Sequence, residues 1–246
     1  MARFLVDQKP GNLGGVGMRH HGATMPPSGA DRRESRHMTT AVHLDQTALV
    51  ISDLTALLPW FTPPQQSQVE NLSVACALAC ACYALPDYAR NAGGDGQPRW
   101  WPFSTGYSPV DDRYGELLAA VGFALVAHSQ LRPDLAVDDL LTAVQDCRRS
   151  LVGPVPGGLV RSARASTADA LGFAAACYVL PAFVRQTGVG DLPLLWPWPA
   201  RLWTTLDREA ELITAAGMLV AELEQHRPIT PAGRRPTLTV MSGGAR

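Results

Sequence analysis

Two short stretches hold most of the side chains that could do chemistry. One reads Asp112-Arg113-Tyr114-Gly115-Glu116-Leu117, the other Asp207-Arg208-Glu209-Ala210-Glu211-Leu212. Each sets an arginine beside an aspartate and a glutamate four residues after that aspartate. The simplest chemistry for these acids is local. Asp112 and Asp207 stand where helix N-caps belong, accepting otherwise free N–H groups. Glu116 and Glu211 then fall in a first turn, where the helix dipole favours negative charge. A glutamate drawn into an apolar core needs an arginine or a cation beside it, and Arg113 is the basic residue nearest to Glu116 in sequence.

Other reactive residue types make weaker patterns. Cys76, Cys80, Cys82 and Cys177 lie in Ala-rich apolar runs and read as buried free thiols. Cys76 and Cys80 are four apart, but no CxxC or histidine cluster completes a metal site. His128 and Ser129 are neighbours, and neighbours on a helix do not face each other. The Gly-Asn-Leu-Gly-Gly-Val-Gly run from Gly11 lacks the Gly-Lys-Ser/Thr ending of a phosphate loop.

The elements that must position these residues are helical. Hydrophobic residues make up 46% of 246, enough for a core, while charged residues are only 17%. The net charge of −1 offers no electrostatic footprint for nucleic acid or an anionic membrane. Apolar runs from Leu72, Leu117, Ala170 and Leu212 each fall short of the roughly 20 residues a membrane span needs. The N-terminus has no apolar run of the signal-peptide kind, so a cytoplasmic setting is expected. Helical patterning covers Leu44–Trp60, Gln66 to a bend or end at Pro86, Asp111–Leu131, Asp134–Leu151, Arg164–Gln186 and Asp207–His226. Strand-like alternation is nearly absent, which predicts an all-α fold. Residues 1–40 and 229–246, rich in Gly, Pro and Arg, are expected to be disordered tails.

A shift of 95 residues lays the chain on itself. Cys82-Tyr83 meets Cys177-Tyr178, and Leu85-Pro86 meets Leu180-Pro181. Arg90 meets Arg185, Trp101-Pro102 meets Trp196-Pro197, and Asp112-Arg113 meets Asp207-Arg208. The match runs without a gap from Ala81 to Pro133. The chain therefore reads as a tandem repeat of three-helix units, 41–133 and 134–228. A single unit exposes a wide apolar face, so the two are expected to share one core about a pseudo-twofold, as dimer subunits do. On a helical wheel of the last segment, Leu212, Ile213, Ala216, Leu219, Val220 and Leu223 form one stripe. Asp207, Glu211 and Glu222 lie away from it and are expected on a solvated face. Its counterpart from Arg113 is apolar nearly all round and is expected to be the more buried.

The Ala-Cys-Tyr helix, the Trp-Pro loop and the Asp-Arg-x-x-Glu-Leu helix resemble the all-α nucleotide pyrophosphohydrolases of the MazG-like superfamily. The likeness is closest to the phage dATP/dGTP diphosphohydrolases, whose last helix carries an Ala-Glu-Ile like Ala221-Glu222-Leu223 here. That resemblance implies Mg²⁺-dependent cleavage of a nucleoside triphosphate to monophosphate and pyrophosphate. It implies Asp112, Glu116, Asp207 and Glu211 as metal ligands, Arg113 or Arg208 on phosphate, and Trp101 or Trp196 stacked on a base. The family's earlier glutamates, however, fall on Ala75 and Ala170, with Glu70 and Asp169 nearby but out of register. Ala127 stands where the first unit's late glutamate belongs. Glu211 and Glu222 are eleven residues apart, about 16 Å along a helix, and cannot share one ion. Two degenerate copies without the paired glutamates point to a non-catalytic protein that binds a protein partner or a nucleotide. The other reading is a Mg²⁺-dependent pyrophosphohydrolase, its site rebuilt from acids of both halves.

Overall fold

The computed structural model describes residues 46–61, 70–90, 96–104, 106–152 and 169–227. The expected tails, 1–40 and 229–246, lie outside the described residues. Among those described, six α-helices and no strand are present, and an isolated bridge pairs Thr187 with Pro193. No helix there is long and apolar enough to cross a membrane.

Helix α1 spans 46–57 and tightens into a 3₁₀ turn, Leu58–Trp60, at Pro59. Helix α2 is Leu72–Ala84, capped by Asn71, whose side chain accepts from the Val74 N–H. It stops short of Pro86, whose ring and missing N–H cannot continue it. Helix α3, Arg113–Leu131, begins at Asp112, which accepts from Gly115 N at 2.6 Å. Helix α4 is Val137–Val152. Helix α5 is the short Ala170–Val179, and α6 is Arg208–His226. Asp207 caps α6 by accepting from Ala210 N at 2.9 Å. The expected N-cap roles of Asp112 and Asp207 are thus met in the same way.

Helix α2 packs on α3, and α5 on α6; α2 also meets α5, and α3 meets α6. Helix α4 packs on α6. Eleven of the thirteen residues of α2 are buried, most of them Ala or Cys. Such small side chains let backbones approach. At Gly172 of α5 a Cβ would come within 2.5 Å of the Ala84 carbonyl oxygen and 2.9 Å of an Arg113 nitrogen.

Two expectations about the last helices fail. Helices α3 and α6 are buried alike, with twelve residues each. Glu211 and Glu222 do not lie on a solvated face: they are 7% and 2% exposed. The wheel assumed one packed stripe, but α6 meets α3, α4 and α5. Three neighbours leave most of its circumference without water.

Candidate functional site

The repeated acids and arginines build the same device twice. At the end of α2, Arg113 Nη1 donates to Tyr83 O at 2.9 Å and Nη2 to Ala84 O at 2.6 Å. Arg90 Nε donates to Leu85 O at 2.8 Å. At the end of α5, Arg208 Nη1 donates to Tyr178 O at 3.1 Å and Nη2 to Val179 O at 2.6 Å. Arg185 donates to Leu180 O through Nε at 3.2 Å and Nη2 at 2.8 Å. A helix C-terminus leaves its last carbonyls without intrahelical donors. Here two guanidiniums supply them, and their charge suits the negative end of the dipole.

Each pair of arginines closes on one glutamate. Glu116 Oε2 lies 2.5 Å from Arg90 Nη2 and 3.3 Å from Arg113 Nη1. Glu211 lies 2.8 Å from Arg185 Nη2 and 3.1 Å from Arg208 Nη1. The first clamp has further partners: Arg90 also meets Asp87 at 2.5 Å and the Tyr107 hydroxyl at 2.7 Å. Arg113 Nε lies 3.4 Å from Asp169 Oδ1. In the second clamp, burial pulls the Arg208 pKa below its usual value, and the Glu211 hydrogen bond works against that pull.

The sequence-derived site residues therefore sit as follows. Asp112 and Asp207 cap α3 and α6; Glu116 and Glu211 accept from arginines one turn further on. Trp101 and Trp196 lie edge-on to Tyr83 and Tyr178, ring centres 5.9 and 5.7 Å away. Trp196 is buried and also meets Trp198 and Trp203. The thiols of Cys76, Cys82 and Cys177 are pushed up to about 12 by burial, so they stay protonated and inert.

Among the described residues, one group of three Asp, Glu, His or Cys side chains brings a ligand atom of each within 4.8 Å of the others: Asp169, Glu222 and His226. None of the four acids expected as metal ligands belongs to it. All three come from 134–228, so the group is not shared between the two halves. Glu222 and Asp169 are 53 positions apart, and nothing in the sequence pairs them. His226 was missed. Its signal was the Glu-x-x-x-His spacing, which stacks Glu222 and His226 on one side of α6.

The chain matches no family model, no curated protein and no solved structure.

Proposed function

We propose that this is a tandem-repeat helical protein that binds a partner protein without catalysing pyrophosphate release. Its units, 41–133 and 134–228, are read as two degenerate copies of a pyrophosphohydrolase-like module related by a pseudo-twofold. The packing supports that reading. Helices α2 and α5 occupy equivalent places in the two units and meet each other, as do α3 and α6. The observation that carries the loss of catalysis is the double clamp. Glu116 and Glu211, themselves buried, each pair with two arginines, so both carboxylates are engaged where a magnesium ion would need them.

A nucleotide is the less favoured ligand for the same reason. The guanidiniums of Arg113 and Arg208 are committed to carbonyl oxygens and a glutamate, which leaves a triphosphate without a ready cation. Tyr88 and Phe183 favour a protein partner. They occupy the same repeat position, 88 + 95 = 183, and are 75% and 78% exposed. Large rings held in water at equivalent places suit an interface.

The test is pyrophosphate release from dATP and dGTP with Mg²⁺ or Mn²⁺, using the whole chain beside a Glu116→Gln/Glu211→Gln variant. The expected result is no release by either protein. Release by the wild type that falls in the variant would establish the Mg²⁺-dependent pyrophosphohydrolase instead.

A further inference from the structure

The last turns of helix α6 carry a buried carboxylate, Glu222, with one oxygen left without a hydrogen-bond donor. The residue is 2% exposed, and the oxygen is Oε1. A buried acceptor left this way costs free energy that a native fold normally recovers through a partner. The nearest candidate is His226, one turn further along. Its Nε2 lies 3.6 Å from Oε1, beyond hydrogen-bonding distance.

The third member comes from a different element. Asp169 precedes α5 and holds a left-handed backbone, φ 73° and ψ 1°, which only a minority of non-glycine residues adopt. Its side chain does not cap its own helix, although aspartate is well suited to that task. It lies instead beside Arg113 Nε at 3.4 Å and close to Glu222 and His226. Residues held in sparsely populated backbone regions cluster at binding and active sites.

We propose that Asp169, Glu222 and His226 form a three-ligand site for a divalent transition-metal cation, zinc above manganese. The spacing fits. Zinc–ligand bonds of about 2.1 Å set tetrahedral ligands about 3.4 Å apart, and the Glu222–His226 separation is 3.6 Å. Asp169 completes the set by a small closure from within 4.8 Å. The donor set decides the metal. One imidazole with two carboxylates suits zinc, and manganese less well. Magnesium demands a near-octahedral shell of oxygen ligands and keeps its waters. Three protein ligands leave a fourth position open for water or an incoming anionic group. Glu222 closes the buried side, while Asp169 and His226, with side chains 18% and 29% exposed, face the entry. Arg113 is a positioning residue: it holds Asp169 from the neighbouring unit and offsets part of the negative charge.

The other repeat unit does not reproduce the site. The positions 95 residues earlier are Val74, Ala127 and Leu131, none of them a ligand. It is also independent of Glu116 and Glu211, so it stands whether or not the protein hydrolyses nucleotides.

The experiment is calorimetric titration of the whole chain, stripped with a chelator, with ZnCl₂, MnCl₂ and MgCl₂ in turn. Cobalt(II) absorption serves as a second readout of tetrahedral geometry. The expected result is one zinc per chain, bound at least tenfold more tightly than manganese, and no magnesium binding in the same range. Glu222→Gln and His226→Gln should each weaken zinc at least tenfold and remove the tetrahedral cobalt bands. Asp169→Asn, at a partly exposed position, provides the same comparison with little risk to folding, and circular dichroism confirms that each variant is folded. Zinc affinity unchanged in folded variants would overturn the proposal by placing the metal on other histidines or cysteines. Absence of zinc binding by the wild type, or magnesium binding as tight as zinc, would also overturn it.

Discussion

The four acids that look most reactive in the sequence are all engaged, Asp112 and Asp207 as exposed caps and Glu116 and Glu211 in buried ion pairs, and for the buried pair the energetics of burial explain why. Arg185 and Glu211 are 8% and 9% exposed, so neither can return to water if its partner is lost. Removing one member of such a pair strands the other and typically costs on the order of 3 kcal/mol. Glu211 keeps Arg208 at 3.1 Å, so Arg185→Met should lower the unfolding free energy by no more than that, about 1–3 kcal/mol in urea denaturation. Arg149→Ala, which breaks a pair exposed to 58% and 59%, should change it by less than about 0.5 kcal/mol. His128 gives a second prediction at this scale. It is 1% exposed, and neither ring nitrogen has a hydrogen-bond partner. Burial lowers its pKa from 6.5; Glu209, 3.8 Å away, works against that shift, and Arg132 adds to it. A histidine whose folded pKa is depressed is neutral in both states above its unfolded value. Below about pH 6.5 the unfolded chain takes up a proton that the fold refuses, so stability falls as pH drops toward the folded pKa. Urea midpoints at pH 7.5 and 5.5 should differ less in His128→Leu than in the wild type. Leucine is the natural choice, since Leu223 stands 95 residues later.

At the scale of elements, legibility followed the range of the interaction. The caps of α3 and α6 could be read because an N-cap acts three residues ahead, from Asp112 to Gly115 and from Asp207 to Ala210. Pro59 and Pro86 marked helix ends for equally local reasons. The need of Glu116 for an arginine was also readable, and Arg113 was found. Arg90 was not, because it reaches Glu116 from a turn 26 positions away. The burial of Glu222 and its approach to Asp169 depend on α6 meeting three other helices, which no pattern within α6 reveals. The α2–α5 contact makes its own prediction. It brings Gly172 so close to the Ala84 carbonyl that a methyl group there would sit at 2.5 Å. Backbone, unlike a flexible side chain, cannot swing aside. Gly172→Ala should therefore destabilise by about 1–3 kcal/mol, despite the better helix propensity of alanine. Thermal melts would check it, with Gly106→Ala as the control, where a Cβ meets nothing within 4 Å.

For the whole molecule, the question is whether the two units are separable. The proposal of a shared core answers no, on the evidence of which helices touch. Within 41–133, α2 packs on α3, but both also turn faces toward α5 and α6 of 134–228. Ala75, Ala77, Ala79, Ala81 and Ala84 of α2 are all fully buried, and no single partner helix can cover an element buried on nearly every side. Arg113 to Asp169 and Arg132 to Glu209 add ion pairs across the same boundary, at 3.4 and 2.9 Å. A chain cut after residue 133 would leave these apolar faces in water at roughly 25 cal/mol per Å², more than a small unit can offset. The whole chain should thus unfold in one transition, with fluorescence and far-ultraviolet circular dichroism giving the same midpoint. The fragments 41–133 and 134–228 should show little helix alone and regain it when mixed. Two separate transitions in the intact chain, or a fully folded 41–133 fragment, would mean that each unit owns its core and that the equivalent helices touch without depending on one another.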